Sequence, residues 1–136
     1  MIRDRPILLV EDDDLDAKTI QRAFKELHLT NRLARVADGE EALAWLRDPA
    51  NATPAIILLD LNLPIMNGIE FLQVAKADER LRRIPVVVLT TSRLETDRLA
   101  SFDLSVAGYM VKPVDYSQFV KIVRTINLYW TLSETP

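Results

Sequence analysis

Residues 55–60 read Ala55-Ile-Ile-Leu-Leu-Asp60, five apolar residues without a polar interruption and then one carboxylate. A run that does not alternate is the pattern of a strand covered on both faces, as in a parallel sheet between two helical layers. The strand is expected over Ala55–Leu59. Two further runs repeat the pattern, Ile7–Val10 and Val86–Leu89, and both stop at polar residues: Glu11-Asp12-Asp13 and Thr90-Thr91-Ser92. Gly108–Val111 is a fourth candidate, ending at Lys112-Pro113. Leu33–Ala37 is a fifth, short and carrying Arg35, which suits a sheet edge.

Helical patterns fill the intervals. Asp13 or Asp14 can cap a helix reaching about Leu27, with Leu15, Ile20, Phe24 and Leu27 expected to face inward. Asp38-Gly39 opens a second, through Ala42, Leu43 and Leu46, ending before Asp48-Pro49. Asn67-Gly68 opens a third with Ile69, Leu72 and Ala75. Ser92 caps a fourth, with Glu95 at capping-box spacing. Asp115 caps a fifth, where Phe119, Ile122, Val123, Ile126 and Trp130 make an apolar stripe. Five strand-then-helix units with right-handed crossovers predict an α/β fold: an open five-stranded parallel sheet with helices on both faces. Strand order 2-1-3-4-5, the flavodoxin-like one, leaves the short second strand at an edge. Five units are too few for an eightfold barrel.

The chain has 136 residues, one domain's worth, and a net charge of -3 from 17 basic and 20 acidic side chains. Basic residues are spread along the sequence, which argues against a nucleic acid or an acidic membrane surface as main partner. Cysteine is absent, excluding disulfides and thiolate metal sites. No signal-peptide pattern opens the chain, and its apolar runs are far short of the roughly 20 residues that span a bilayer. A cytoplasmic location is expected.

In open parallel sheets, ligands bind beyond the carboxyl ends of the strands. Here those ends carry Glu11 and Asp12, then Asp60, then Thr90, then Lys112. Carboxylates without His or Cys select a hard divalent cation, Mg2+ or Mn2+. Mg2+ typically takes one or two carboxylates together with phosphate oxygens, so the set reads as half of a phosphoryl site. Lys112 and the Thr90 hydroxyl would supply the remaining cation and donor.

At these residues the chain resembles the response-regulator receivers, the family of the chemotaxis response regulator. The matching segments are Ile7-Leu-Leu-Val-Glu-Asp-Asp13, Leu58-Leu-Asp-Leu-Asn-Leu-Pro-Ile-Met-Asn-Gly68, Pro85-Val-Val-Val-Leu-Thr-Thr91 and Gly108-Tyr-Met-Val-Lys-Pro113. They stand in family order and cover essentially the whole chain. The resemblance implies a single receiver domain over 1–136, with 127–136 a C-terminal tail. It makes Asp60 the phosphoacceptor and Asp12 a direct metal ligand, with Glu11 acting mainly through a coordinated water. Asn62 would give its backbone carbonyl to the metal, Thr90 would bond the phosphoryl group, Lys112 would pair with it, and Tyr109 would be the switching aromatic. It also places a cis bond at Lys112-Pro113. Asn67 stands where receivers commonly carry Asp, and it caps a helix about as well.

The implied donor is a phosphohistidine on a sensor histidine kinase. His28, the one histidine, belongs to the first helix and is read as a surface residue, and Trp45 as packing. Little chain follows Lys112-Pro113, so output is expected from the receiver's own surface. The apolar segment Ile126-Asn-Leu-Tyr-Trp-Thr-Leu132 points to an isologous dimer through helix 4, strand 5, helix 5 and the tail. The tail, the Leu33-to-Trp45 segment and Thr90-Thr91-Ser92 are similar to single-domain regulators paired with phytochrome kinases. Two rival classes remain: a pseudo-receiver that binds without phosphorylation, and a Mg2+-dependent phosphohydrolase. The latter usually needs an acid two positions after its nucleophile, where this chain has Asn62.

Overall fold

The computed structural model describes residues 5–115, 117–121 and 124. The elements run β1 (Ile7–Val10), α1 (Asp14–Glu26), β2 (Leu33–Val36), α2 (Gly39–Arg47), β3 (Ile56–Asp60), α3 (Gly68–Ala77), a 3-10 turn (Leu81–Arg83), β4 (Val86–Thr90), α4 (Arg93–Ala100) and β5 (Gly108–Val111). All four strand pairings are parallel, in the order β2-β1-β3-β4-β5. Residues 117–121 and 124 are helical. The expectations placed on Ile122, Val123, Ile126, Trp130 and the 127–136 tail lie outside the described residues.

Every residue of β1, β3 and β4 is buried. Alternate strand residues supply two separate cores, as the period-2 pleat requires. Leu8, Val10, Ile57, Leu59, Val86 and Val88 pack with α2, α3 and Leu99 of α4. Ile7, Leu9, Ile56, Leu58, Val87, Leu89 and Met110 pack on the other face with α1, Val114 and Phe119. There Phe24 and Phe119 meet edge-to-face, centroids 5.1 Å apart, joining α1 to the last helix. Trp45 packs against the first of these cores.

Side chains cap the helices where the sequence offers them. Asp13, Asp38, Asn67 and Ser92 each accept from the backbone N–H three residues on. Asp115 does the same with Gln118. Asn67 and Glu70 form a reciprocal capping box. Ser92 and Glu95 do not: Ser92 accepts from the Glu95 N–H, but the Glu95 carboxylate reaches past Ser92 to the N–H of Thr91 at 2.7 Å.

One expected core position is wrong. Leu15 is 75% exposed, and α1 instead buries Ala17, Ile20, Ala23 and Phe24. Leu15 precedes Ile20 by five residues, about 140° out of phase on a helix, so it shares neither face nor core with the others. His28 is exposed and lies just beyond α1 with φ 54°, where its N–H closes the helix onto the Lys25 carbonyl.

Candidate functional site

The strand register sets the site. Val10 is level with Leu59, so Glu11, the next residue, comes out beside Asp60. Asp60 is level with Leu89 and, across β4, with Met110, so Thr90 leaves one step further along and Lys112 two. Pleat parity then divides them. Glu11, Asp60 and Lys112 follow the phase of Leu9, Leu58 and Met110, toward α1, while Thr90 follows Val88, toward α4.

On the α1 side, Lys112 Nζ lies 3.0 Å from Asp60 Oδ2 and 3.0 Å from Asp16 Oδ2, and also pairs with Glu11 Oε1. Asp60 is 4% exposed; its other oxygen accepts from the Asn62 N–H at 3.1 Å. Glu11 is fully buried. Its Oε2 accepts from the Asp13 N–H, and Oε1 has the Lys112 ammonium as its partner. Burial pushes the Glu11 carboxyl up to about 7, with the Asp60 charge adding to the effect and Lys112 opposing it. Burial works against the Lys112 charge as well, but Glu11, Asp16 and Asp60 outweigh it and hold the amine above its ordinary value.

Asp12 is exposed, and ligand oxygens of Glu11, Asp12 and Asp60 lie within 4.8 Å of one another. Three carboxylates so close, Glu11 and Asp60 of them buried, fit a hard divalent cation. Arg35 closes the acidic loop from outside: Nε donates to the Glu11 carbonyl at 3.0 Å and a terminal N–H to Asp14 at 2.8 Å.

The α4 side holds Thr90 and Tyr109. The Thr90 hydroxyl lies 2.8 Å from the Ser92 carbonyl and 2.9 Å from Glu95 Oε2. Tyr109 is 42% exposed. The peptide bond Lys112-Pro113 is cis.

A family model described as the response regulator receiver domain matches residues 7–124. This chain is a response-regulator receiver. Among curated relatives, the probable methanogenesis regulatory protein FilR2 of Methanothrix harundinacea is 42% identical over 127 residues, 91% of this chain and 82% of its own. Response regulator Rcp1 of Synechocystis is 40% identical over 128 residues, 91% and 87% of the two chains. Its Mn2+-bound form has been solved and superposes with a TM-score of 0.75 at 39% identity, covering 93% of this chain and 94% of that one. The phosphorylated cyanobacterial phytochrome response regulator RcpA superposes with a TM-score of 0.76 at 43% identity, over 97% of both chains. The receiver thus has phytochrome-associated homologues and belongs to a family of signalling regulators. Among its described residues, no helix is long and apolar enough to cross a membrane.

Sequence reasoning missed three parts of the receiver's site. Asp16, a third acid on Lys112, reads only as a favourable first-turn charge of α1. Gly68 reads as part of a helix start, yet a Cβ there would come 2.6 Å from the Asp60 carbonyl and 2.7 Å from Leu61 Cα. The end of β3 therefore rests directly on the start of α3. Ile65, in the same loop, holds φ 64°, a left-handed conformation that costs a β-branched residue about 1–2 kcal/mol. No local signal in the sequence marks it.

Proposed function

We propose that this receiver is a single-domain response regulator of a two-component system. Asp60 accepts a phosphoryl group from a phosphohistidine on a sensor histidine kinase of phytochrome type. The observation that carries the reading is the placement of Asp60: one oxygen fixed by the Asn62 N–H, the other by Lys112, with Glu11 and Asp12 beside it. A carboxylate oxygen of Asp60 attacks phosphorus, the P–N bond to the donor imidazole breaks, and an acyl phosphate forms. Such a transfer needs in-line positioning and charge compensation more than covalent help. Lys112 is already a cation on the acceptor, and it remains to pair with the phosphoryl oxygens.

Glu11, Asp12, Asp60 and the Asn62 carbonyl would hold Mg2+ or Mn2+, which supplies positive charge against the phosphoryl oxygens. The readout uses the other face: the Thr90 hydroxyl turns to the phosphoryl group, and Tyr109 moves into the space it leaves. The α4–β5 face, where Leu94, Tyr109 and Val111 are exposed, then changes its contacts. With the last helix and the tail, it forms a homodimer or meets a partner in the cytoplasm. Neither DNA nor a membrane has a part in this scheme.

The test is labelling by acetyl phosphate or a phosphorylated kinase, of wild type and Asp60→Asn, followed by sizing of each. Label on wild type alone, with a change in its association state, is expected. Equal labelling of Asp60→Asn would refute the acceptor assignment. A monomer under all conditions would refute the dimer.

A further inference from the structure

Among the described residues, every hydrogen bond of the Thr90 hydroxyl goes into the β4–α4 turn. It is within 2.9 Å of Glu95 Oε2 and 2.8 Å of the Ser92 carbonyl, and it accepts from the Ser92 N–H at 3.3 Å. The Glu95 carboxylate is itself anchored. Its Oε2 accepts from the Thr91 N–H at 2.7 Å and the Thr91 hydroxyl at 3.0 Å, while its own N–H bonds the Ser92 side chain. It also sits in the first turn of α4, where negative charge is favoured.

We propose that Glu95 is a positioning residue that latches the receiver off: its carboxylate holds the Thr90 hydroxyl in the β4–α4 turn, and a phosphoryl group on Asp60 must win that hydroxyl from it. This rests on the reading of Asp60 as the acceptor. The force of the argument is that a threonine hydroxyl has one proton. That proton is shared between the Glu95 carboxylate at 2.9 Å and the neutral Ser92 carbonyl at 2.8 Å, the charged carboxylate being the stronger acceptor. The proton cannot also go to a phosphoryl oxygen, so switching exchanges one charge-assisted hydrogen bond for another. Burial would raise the Glu95 carboxyl, but the Thr91 N–H and the Thr90 and Thr91 hydroxyls outweigh it and hold the group below its usual value, so the latch is charged. The displaced carboxylate has somewhere to go. A cavity of about 160 Å³ opens beside it, lined by Asn62, Asn67, Glu95 and Arg98 among others. Arg98, three residues on along α4, offers it a cation.

The latch sets the threshold for activation, and a phosphoryl mimic reads it. The Mg2+-loaded full chain is titrated with beryllofluoride, following binding by calorimetry, for wild type, Glu95→Ala, Glu95→Gln, Thr90→Val and the double variant Thr90→Val/Glu95→Ala. Circular dichroism melts establish that each is folded. Glu95→Ala should bind about tenfold more tightly than wild type, the share of a charge-assisted bond no longer lost on switching. Glu95→Gln, which keeps a neutral acceptor, should tighten binding by less. On Thr90→Val, adding Glu95→Ala should change nothing.

Unchanged or weaker binding by Glu95→Ala overturns the latch. Equal tightening with and without the Thr90 hydroxyl also overturns it, since that outcome is mere removal of a negative charge near an anion. A wild type that binds Mg2+ but ignores beryllofluoride instead refutes Asp60 as an acceptor, and the latch with it.

Discussion

Stripping divalent cations from this receiver and raising the pH should destabilise it over a defined window, because Glu11 is buried and carries its proton unusually tightly. Its carboxyl titrates at about 7 in the fold against 4.5 when unperturbed. A proton held more tightly by the native state contributes stability that is fully present below 4.5 and is lost as pH rises through about 7. At about 1.4 kcal/mol for each pH unit between those values, the loss comes to about 3.5 kcal/mol. Glu11 and Asp60 share Lys112, so the loss belongs to the cluster as a unit. Asp78, Glu95 and Asp115 have lowered values, so their contributions disappear on the acid side, outside this window. Urea unfolding followed by circular dichroism, in chelator, from about pH 5 to about pH 8 would measure the slope. Glu11→Gln should flatten it, and saturating Mg2+ should oppose it, because the cation binds the charged acids of the native state. A flat chelated profile, or a wild-type slope surviving in Glu11→Gln, would refute the reasoning.

Three other substitutions test separate parts of the structure. Lys112→Met leaves Glu11 and Asp60 buried without their cation and should cost about 3–5 kcal/mol in chelator at neutral pH, part of it recovered with Mg2+, by urea unfolding. Gly68→Ala forces the Asp60 carbonyl and Leu61 away and should cost about 1–3 kcal/mol in the same assay, with weaker Mg2+ binding by calorimetry. Asn67→Ala breaks the capping box of α3 and should lower the melting free energy by about 1 kcal/mol without abolishing metal binding.

Most of the architecture was legible because the two longest-range facts, strand burial and strand direction, leave local traces. Unbroken runs such as Ile56–Leu59 mark burial on both faces, and caps such as Asp38 and Ser92 mark where each helix restarts. Phase was harder. Leu15 is apolar and early in α1, yet the angle to Ile20 turns it outward, and only counting from Ala17 would have exposed that. The convergence of Glu11, Asp60 and Lys112 followed from their places at strand ends, since a parallel sheet aligns those ends. Asp16 acts through a contact with Lys112 far along the chain, while Glu95 and Gly68 act on near neighbours through a turn geometry that residue types alone do not encode. Glu95 shows the limit well. Its spacing from Ser92 predicts a capping box, but the hydroxyls of Thr90 and Thr91 compete for the same carboxylate and win.

Arg35 gives the acidic loop a property of its own. Its grip on the Glu11 carbonyl and on Asp14 comes from a neighbouring strand and uses neither the oxygens facing a cation nor those facing Lys112. The loop is therefore tethered by its outer rim, so a cation bound as proposed would leave these anchors of the loop in place.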